Sequence, residues 1–485
     1  MTDVQHAPAT QEHRPRRRPT KPVHHPSAAE RLAKGKAARA TTPRSGHADW
    51  EPAADRRDPV ELLGEQDASR VPELVPVRYG RMLVSPFTFF RGAALLMAAD
   101  LANAPRTGLQ VQLCGDAHLS NFGAFAAPDR RLIFSINDFD ETLPGPFEWD
   151  VKRLVASFAV AGRDRGFDAR ERQAVSRAAA RSYRESMRDY AGMSNLDIWY
   201  SRIDLDDVAA LTAERGSRKQ RKAFERNVAK ARSKDSTRAL AKLTEVVDGE
   251  RRIVSDPPLI VPIEEIVTGV EREELEHFVR GVIRSYRRTL TADRRRLLER
   301  YRYVHAARKV VGVGSVGTRA WVVLMLGRDD TDPLLLQLKE AQASVLEPFL
   351  GDSAFANHGQ RVVEGQRLTQ AASDILLGWV RFTAPDGASR DFYMRQLWDG
   401  KGSAMVELMN STALEVYAEL CGQALAKAHA RSGDAIAIAS YLGGGDSFDR
   451  ALASFAELYA DQNERDHDAV RAAVASGRVA AQTDL

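Results

Sequence analysis

The sequence predicts an α+β fold with two lobes, a mostly helical large lobe and a small lobe built on an antiparallel sheet. Between residues 303 and 402, β-branched and apolar runs alternate with turns, which is typical of antiparallel strands. Long stretches on both sides of that range have helical composition instead. The chain of 485 residues is 44% hydrophobic, which is ample for more than one lobe.

These patterns divide the chain into four parts. They are a disordered basic tail (1–57), a helical large lobe (58–302), a β-rich small lobe (303–402) and C-terminal helices that pack back on the large lobe (403–485). Residues 1–48 contain ten Lys or Arg against three Asp or Glu, whereas the whole chain has a net charge of only +4. The basic charge therefore belongs to the tail, which is either simply solvated or touches an acidic surface.

Individual elements follow from local periodicity. Strands are predicted at 109–113 and 131–136, and helices at 149–162, 169–193, 206–245, 271–291, 360–372, 412–431 and 447–462. The helical stretch 206–245 is strongly basic, and the helix at 360–372 interrupts the sheet of the small lobe.

Several protein classes are excluded by composition. No apolar run reaches 18 residues, so we expect no transmembrane helix. The N-terminus lacks the apolar core of a signal peptide, and the cytoplasm is the expected compartment. The two cysteines, Cys114 and Cys421, are too few for a disulfide framework or a cysteine-based zinc site.

Gly312, Gly314, Ser315 and Gly317 form a G-x-G-x-x-G motif. The residues that follow, 320–326, read as a strand, whereas a dinucleotide-binding fingerprint requires a helix there. A glycine loop between two strands is the kinase arrangement, in which the loop folds over the phosphates of ATP. The alternative is an ordinary hairpin turn.

Lys339 ends the third strand of the small lobe. A kinase keeps at this place the lysine that grips the α- and β-phosphates. Glu364, on the following helix, is the predicted ion-pair partner of Lys339, and Glu347 competes with it. The alternative is a solvated lysine at a strand end.

A second motif follows the strand at 109–113. Asp116 and Asn121 fit D-x-x-x-x-N, the spacing of a kinase catalytic loop, in which Asp accepts the proton of the substrate hydroxyl and Asn binds metal. His118 either orients Asp116 or a metal, or only hydrogen-bonds the loop. Asp138 and Asp140 follow the next strand, and with Asn121 they offer the oxygen ligands that suit Mg²⁺ or Mn²⁺. The alternative is that the aspartates only cap turns.

The Gly-Asp-x-His sequence at 115–118 resembles aminoglycoside phosphotransferases and related small-molecule kinases. Asp138-Phe139 resembles the start of the kinase Asp-Phe-Gly motif, with Asp140 in place of glycine, and Asp150 resembles the aspartate that braces the catalytic loop. The chain is also similar, from about residue 50 onward, to a bacterial family known as a domain of unknown function. The stretches that carry this similarity are RYGRMLVSPFTFFRGAA, CGDAHLSNFG, INDFDET, RKVVGVGSVGTRAW, VVEGQRLTQAASDILLGW and ALAKAHARSGD.

The resemblance implies a protein-kinase-like fold with permuted chain order. In kinases the glycine loop and lysine precede the catalytic loop, whereas here Asp116 comes far before Gly312. The helix at 412–431 resembles the one that normally leads into the catalytic loop. A circular permutation with its cut just after that helix would reconcile the two orders.

The expected function is therefore ATP- and Mg²⁺-dependent phosphoryl transfer to an unknown acceptor, with a small molecule favoured over a protein. A metal-dependent phosphoesterase that uses Asp116, His118, Asp138 and Asp140 is the main alternative. A nucleotide-binding pseudokinase and a nucleotidyltransferase also stay open. Arg91 either contacts phosphate or forms a salt bridge at a helix start.

Overall fold

The computed structural model describes residues 25–215, 218–233, 235–310, 312, 314–384 and 386–483. Within these residues the fold is a mixed α+β arrangement whose sheets are antiparallel, and this confirms the coarse prediction. No helix of the described part of the chain is long and apolar enough to cross a membrane.

The N-terminal part of the described chain is helical. It contains α1 (Ala28–Thr41), α2 (Pro59–Asp67), α3 (Val75–Met82), α4 (Pro86–Gly92) and α5 (Ala94–Ala102). The prediction of a disordered tail is therefore wrong for residues 28–41, while residues 1–24 lie outside the described residues. One cause is local, because Ser27 and Glu30 form a capping box at the start of α1, and one is tertiary, because α1 packs against the C-terminal helices and Ala38 joins the main core.

A group of short strands and long helices comes next. The strands are β1 (Gln110–Leu113), β2 (Phe122–Ala126), β3 (Leu132–Ile136) and β4 (Leu143–Pro146). They are followed by α6 (Phe147–Asp164), α7 (Ala169–Ala191), α8 (Asn195–Tyr200), β5 (Ile203–Asp204), α9 (Leu205–Arg215), α10 (Arg218–Arg232) and α11 (Ser236–Leu243). The stretch predicted as one helix at 206–245 is thus divided into three.

The next segment, residues 244–403, contains a larger sheet, a separate two-stranded sheet, a short strand that pairs with β2, and several helices. Its elements are β6 (Thr244–Val247), β7 (Glu250–Ile253), β8 (Ile260–Pro262), α12 (Ile263–Ile266), α13 (Arg272–Arg287), α14 (Ala292–Leu298), β9 (Arg302–Lys309), β10 (Ala320–Leu326), β11 (Pro333–Ala341), α15 (Glu347–Leu350), α16 (His358–Thr369), β12 (Gly378–Thr383), β13 (Ser389–Gln396) and β14 (Gly402–Ser403). Six strands pair in the order β12-β13-β11-β10-β9-β8.

Both faces of the six-stranded sheet are apolar and covered. On one face, α13 contributes Leu275, Val279 and Tyr286 to a buried cluster with the strands. On the other face, α11 contributes Leu240 and Leu243. Helices that the sequence assigns to the large lobe therefore pack on the sheet, because every residue of β11 is buried and the sheet needs cover on both sides.

The chain ends in α17 (Ser411–Ser432), α18 (Ala435–Leu442) and α19 (Ser447–Ala475). Helix α17 packs along α7, and α19 packs along α6. Together these four helices contribute nearly half of the main hydrophobic core, which also reaches β1, β2 and β3. The site residues described below stand where this core meets the six-stranded sheet.

Candidate functional site

Residues 114–121, the Asp116 loop, connect β1 to β2 and are held from inside the helical core. Asp150, in the first turn of α6, accepts hydrogen bonds from the backbone N–H groups of Cys114 (2.8 Å) and Gly115 (3.0 Å). The Nε2 atom of His429, on α17, lies 3.2 Å from the same carboxylate. Asp150 and His429 are both buried, so the loop has little freedom to move.

Asp116 points from this loop toward a buried cation. Its Oδ1 accepts a hydrogen bond from Nε of Arg153 on α6 (2.9 Å) and forms an ion pair with Nη2 of the same guanidinium (2.8 Å). The side-chain amide of Asn121 donates to the backbone carbonyl of Asp116 at 2.8 Å. Burial raises the pKa of Asp116 above its ordinary value, although Arg153 opposes the shift.

His118 is buried beside Asp116, with 3.7 Å between Nε2 and the Asp116 Oδ2 atom. Its Nδ1 accepts a hydrogen bond from the N–H of Ser120 (3.2 Å), so the neutral ring carries its proton on Nε2. Burial, together with Arg91 and Arg153, lowers the pKa of His118 well below its ordinary value. The structure thus places a neutral imidazole next to the carboxylate and bonds it to its own loop.

The loop after β3 brings two carboxylates to the lysine of β11. Lys339 Nζ bonds to Asp140 Oδ2, although the two residues are 199 positions apart, and it lies 3.8 Å from Asp138 Oδ2. The second oxygen of Asp140 accepts a hydrogen bond from Tyr393 (2.8 Å). Lys339, Asp138 and Asp140 therefore form one cluster, and both oxygens of Asp140 are already engaged.

Charges in this cluster balance one another. Burial disfavours the ammonium group of Lys339, but Asp138 and Asp140 outweigh burial and raise the pKa of Lys339 above its ordinary value. Burial likewise disfavours the carboxylate of Asp138, but Lys339 and Arg395 outweigh it and lower the pKa of Asp138. Both groups are therefore charged near neutral pH.

Glu364 is not the partner of Lys339. It pairs with Arg367 one turn further along α16 (3.4 Å), and the Nζ contacts found for Lys339 in the described part of the chain are those to Asp138 and Asp140. The face of α16 that reaches the site presents Arg361, which donates to the backbone carbonyls of Asp140, Thr142 and Gln342 at 2.8 Å each. The predicted ion pair is wrong because Arg361, not Glu364, occupies the inward position of the helix.

Glu347, the competing partner, is also engaged elsewhere. Its Oε1 accepts from the N–H of Ser344 (3.1 Å) and lies 3.8 Å from Arg361 Nε. The loop after β3 therefore supplies, through Asp138 and Asp140, the negative charge for which the sequence predicts Glu364 or Glu347.

The glycine-rich loop, residues 312–317, connects β9 to β10, and its residues 312 and 314–317 are described. It is held from outside by residues 69–81, which we term the N-terminal brace. The N–H of Val71 donates to the carbonyl of Gly317 (2.8 Å), and Arg81 donates to the carbonyl of Gly312 (3.1 Å). Val316 is fully buried in a cluster with Val71, Leu74 and Val77.

The glycine-rich loop approaches both the lysine and α4. Ala320, three residues after Gly317, pairs directly with Lys339 across β10 and β11. A Cβ atom on Gly314 would lie 3.1 Å from the backbone carbonyl oxygen of Arg91, so the tip of the loop rests on the end of α4. Arg91 is in turn close enough to Asp116 to influence its pKa.

Residues 70–473 match the model of a family described as "Uncharacterized protein conserved in bacteria (DUF2252)". The chain belongs to this family. No curated protein and no solved structure matches the chain significantly. Every site residue named above falls inside the range that the DUF2252 model covers.

Sequence reasoning missed three arginines of this DUF2252 site: Arg153 and Arg361, which are buried, and Arg395, which is half-buried. Arg395 donates to the carbonyl of Asn137 (3.1 Å), next to Asp138. The sequence could have indicated Arg153, because it lies within a largely apolar helix, where an arginine is costly unless a carboxylate faces it. Arg361 and Arg395 carry no comparable local signal, because each has one polar and one apolar neighbour and neither lies in a long apolar run.

The carboxylates of this DUF2252 site do not make a metal centre by themselves. Among the residues that the structure describes, no group of three or more His, Cys, Asp or Glu side chains is arranged to hold a metal ion. A cation bound here would need oxygen atoms from elsewhere, such as those of a phosphate or of water.

Proposed function

We propose that the protein is an ATP- and Mg²⁺-dependent phosphotransferase with a two-lobed kinase-like fold, and that its acceptor is a small molecule. One observation carries the proposal: Lys339, on the second strand after the glycine-rich loop, meets Asp138 and Asp140 from the loop after β3. These residues are far apart in sequence and come from two motifs that make chemical sense only together. A lysine for the phosphates beside an acidic metal ligand is the arrangement that phosphoryl transfer by kinases requires.

The donor set at Asp138 fits Mg²⁺. The N–H of Asn137 donates to the carbonyl of Asn121 (2.8 Å), so Asn121 and Asp138 stand at neighbouring strand ends. Mg²⁺ is usually held by one or two carboxylates together with phosphate oxygens and water, and it would neutralise charge on the phosphates. Asp138 and Asn121 are therefore the proposed ligands, whereas Asp140 orients Lys339.

Asp116 is the proposed base that orients the acceptor hydroxyl and takes its proton. Its carboxylate is fixed by Arg153, and a raised pKa makes a carboxylate a better proton acceptor. His118 keeps the Asp116 loop in shape through its bond to Ser120 and presents its Nε2 side to Asp116.

The contact between α17 and β1 supports the permuted chain order. The hydroxyl of Ser432, the last residue of α17, accepts a hydrogen bond from the N–H of Gln112 (3.1 Å). The path from α17 through β1 into the Asp116 loop is thus continuous in space, although the chain reaches these elements in the opposite order. The C-terminal segment also returns to α3, because the N–H of Gln482 donates to the carbonyl of Pro76 (2.8 Å).

The phosphoesterase alternative has weaker support. It would require Asp116, His118, Asp138 and Asp140 to share metal ions, yet Asp116 is bonded to Arg153 and Asp140 is bonded to both Lys339 and Tyr393. It also leaves the glycine-rich loop without a role. A nucleotidyltransferase would use the same residues, and its products distinguish it.

Thermal shift and calorimetry with ATP and Mg²⁺ test the proposal. Ligand at about 100 times its Kd stabilises the native state by about 2.7 kcal/mol, which raises Tm by several degrees. Lys339→Ala should abolish this rise, whereas Lys34→Ala, at an exposed position of α1, should leave it intact. No binding of ATP by the wild type would refute the proposal. Release of ADP supports phosphoryl transfer, and release of pyrophosphate would indicate nucleotidyl transfer instead.

Asparagine variants of Asp138 and Asp116 separate the two roles. Asp138→Asn should lose both Mg²⁺-dependent nucleotide binding and turnover, because the metal bridges the phosphates. Asp116→Asn should bind nucleotide normally and slow transfer by roughly 10²–10⁴. Equal loss of nucleotide affinity in the two variants would contradict this division of roles.

A further inference from the structure

Arg91 occupies the last turn of α4 and directly follows Phe90, which links this helix to Asp116 through Arg153. The carbonyl of Phe90 accepts a hydrogen bond from Arg153 Nη2 (2.7 Å), and Arg153 also holds the Asp116 carboxylate. The guanidinium of Arg153 lies over the ring of Phe90 at 3.9 Å. The backbone at Arg91 is therefore fixed relative to the proposed base.

The other side of Arg91 faces the glycine-rich loop. Its carbonyl oxygen is the atom that a Cβ on Gly314 would meet at 3.1 Å, so a larger residue at 314 would have to push the loop away from α4. Arg91 thus stands where the two halves of the site meet: the loop for phosphates on one side and Asp116 on the other.

The guanidinium of Arg91 is uncommitted. Its Nε is buried without a hydrogen-bond partner, and within the described chain no carboxylate lies within the 4 Å that defines an ion pair. The helix-start salt bridge that the sequence leaves open is therefore absent from these residues. Burial lowers the pKa of Arg91, and Asp116 and Glu407 oppose that shift, but the group stays a cation at neutral pH. Arg91 is half-buried and its buried Nε has no partner among the described residues, which is costly, and a ligand that pairs with the guanidinium explains its retention.

We propose that Arg91 binds the terminal phosphoryl group of the bound nucleotide, the group that is transferred. The inference rests on the proposed phosphotransferase function and adds a residue to it. In the transfer, the acceptor oxygen forms a bond to the γ-phosphorus while the bond to the β,γ-bridging oxygen breaks and ADP leaves with that electron pair. The hydroxyl proton goes to Asp116, and Arg91 pairs with the charge on the equatorial oxygens of the phosphoryl group.

A comparison of di- and triphosphate binding tests this role. Calorimetry should be carried out on the full chain with Mg·ADP and with a non-hydrolysable Mg·ATP analogue, for the wild type, Arg91→Gln and Arg91→Lys. We expect Arg91→Gln to bind Mg·ADP within about twofold of the wild type and to lose about tenfold or more in affinity for the triphosphate. Turnover should fall by about 10³ or more, as for the loss of an arginine that contacts the transferred group.

Two further variants distinguish a loss of phosphate binding from a general packing defect. Arg91→Lys keeps the charge and should recover part of the triphosphate preference, which a simple packing defect would not do. Arg328 lies in the exposed turn between β10 and β11, where it pairs with Asp329, and Arg328→Gln should behave as the wild type. If Arg91→Gln retains the full preference for triphosphate, the role of Arg91 is overturned while the phosphotransferase proposal stands. If the wild type binds neither nucleotide, the proposed function is overturned, and the role of Arg91 with it.

Discussion

The two loops of the proposed site are held in opposite ways. The Asp116 loop is fixed from the core: Asp150 accepts two of its backbone N–H groups, the Ser157 hydroxyl accepts the N–H of Leu119 (3.0 Å), and Tyr417 donates to the carbonyl of Leu119 (2.8 Å). The glycine-rich loop is held by the N-terminal brace, through one backbone hydrogen bond from Val71, one side-chain hydrogen bond from Arg81 and a small apolar cluster.

This difference matches what each loop is proposed to do. A base must be held rigidly in a productive geometry, because small displacements reduce transfer strongly. A loop that covers phosphates must open to admit and release nucleotide, so it is expected among the less stable parts of the fold. The N-terminal brace also contacts the C-terminal segment, since the N–H of Gln482 donates to the carbonyl of Pro76, and that segment therefore supports the brace.

The largest effect is expected at Asp150. Asp150→Ala leaves two buried N–H groups and His429 without their acceptor, so we expect a loss of about 3–5 kcal/mol in the free energy of unfolding. Denaturant titration measures it. Asp164→Ala, at the exposed end of the same helix, should cost under about 0.5 kcal/mol. A small loss at Asp150 would mean that the Asp116 loop is no better anchored than the glycine-rich loop.

The helix behind the Asp116 loop should respond to pH. Burial, together with Arg431, lowers the pKa of Lys427 on α17 to about 7. Between that value and the ordinary lysine pKa the unfolded chain binds more protons, so the cost of burying Lys427 is complete below pH 7 and is relieved as pH rises. Stability should therefore increase with pH above 7, by at most about 1.4 kcal/mol per pH unit from this group.

Lys427→Met isolates that contribution. The variant should gain on the order of 2 kcal/mol relative to the wild type at pH 7, and the gain should shrink toward pH 9 as the wild-type lysine loses its proton more readily. Urea denaturation at several pH values measures both curves. Parallel curves for the two proteins would exclude Lys427 as the titrating group.

A smaller and local effect is expected at Val316. Val316→Ala removes two buried methyl groups from the cluster with Val71, Leu74 and Val77, at a cost of about 1–2 kcal/mol. The amide of Val71, which donates to the carbonyl of Gly317, should then exchange with solvent roughly tenfold faster. Amides of the Asp116 loop should exchange as before, and Val246→Ala at an exposed position should change neither. Faster exchange in both loops would show that they open together.

The smallest effect concerns Gly317, whose φ of +89° favours glycine. Gly317→Ala should cost about 1 kcal/mol from backbone strain, and its Cβ would also press on Arg70 at 3.0 Å. Gly166→Ala is a matched control, because Gly166 has φ +71° and a Cβ added there would meet nothing within 4 Å. Both variants should lose similar stability, but only Gly317→Ala should weaken binding of Mg·ATP. Equal nucleotide affinity in the two variants would argue against a role of the N-terminal brace in shaping the loop.

Local pattern was sufficient for much of the fold. The run 320–326 after the glycines predicts a strand and not a helix, and β10 occupies Ala320–Leu326. The predicted helix at 412–431 is α17, within one residue at each end. Helix α1 was missed because its composition is polar and basic, and its order depends on packing against α18 rather than on its own apolar residues.

The amino-acid sequence by itself determined the strands, the long helices and the two motifs, because period, turn residues and spacing act over short distances along the chain. Only the tertiary structure decided which charges face each other. It paired Lys339 with Asp138 and Asp140 instead of Glu364, placed Arg153 on Asp116, and left the Nε of Arg91 without a hydrogen-bond partner among the described residues. The physical reason is that a buried charge takes the nearest opposite charge in space, and that distance depends on how helices and strands pack, which short-range pattern does not encode.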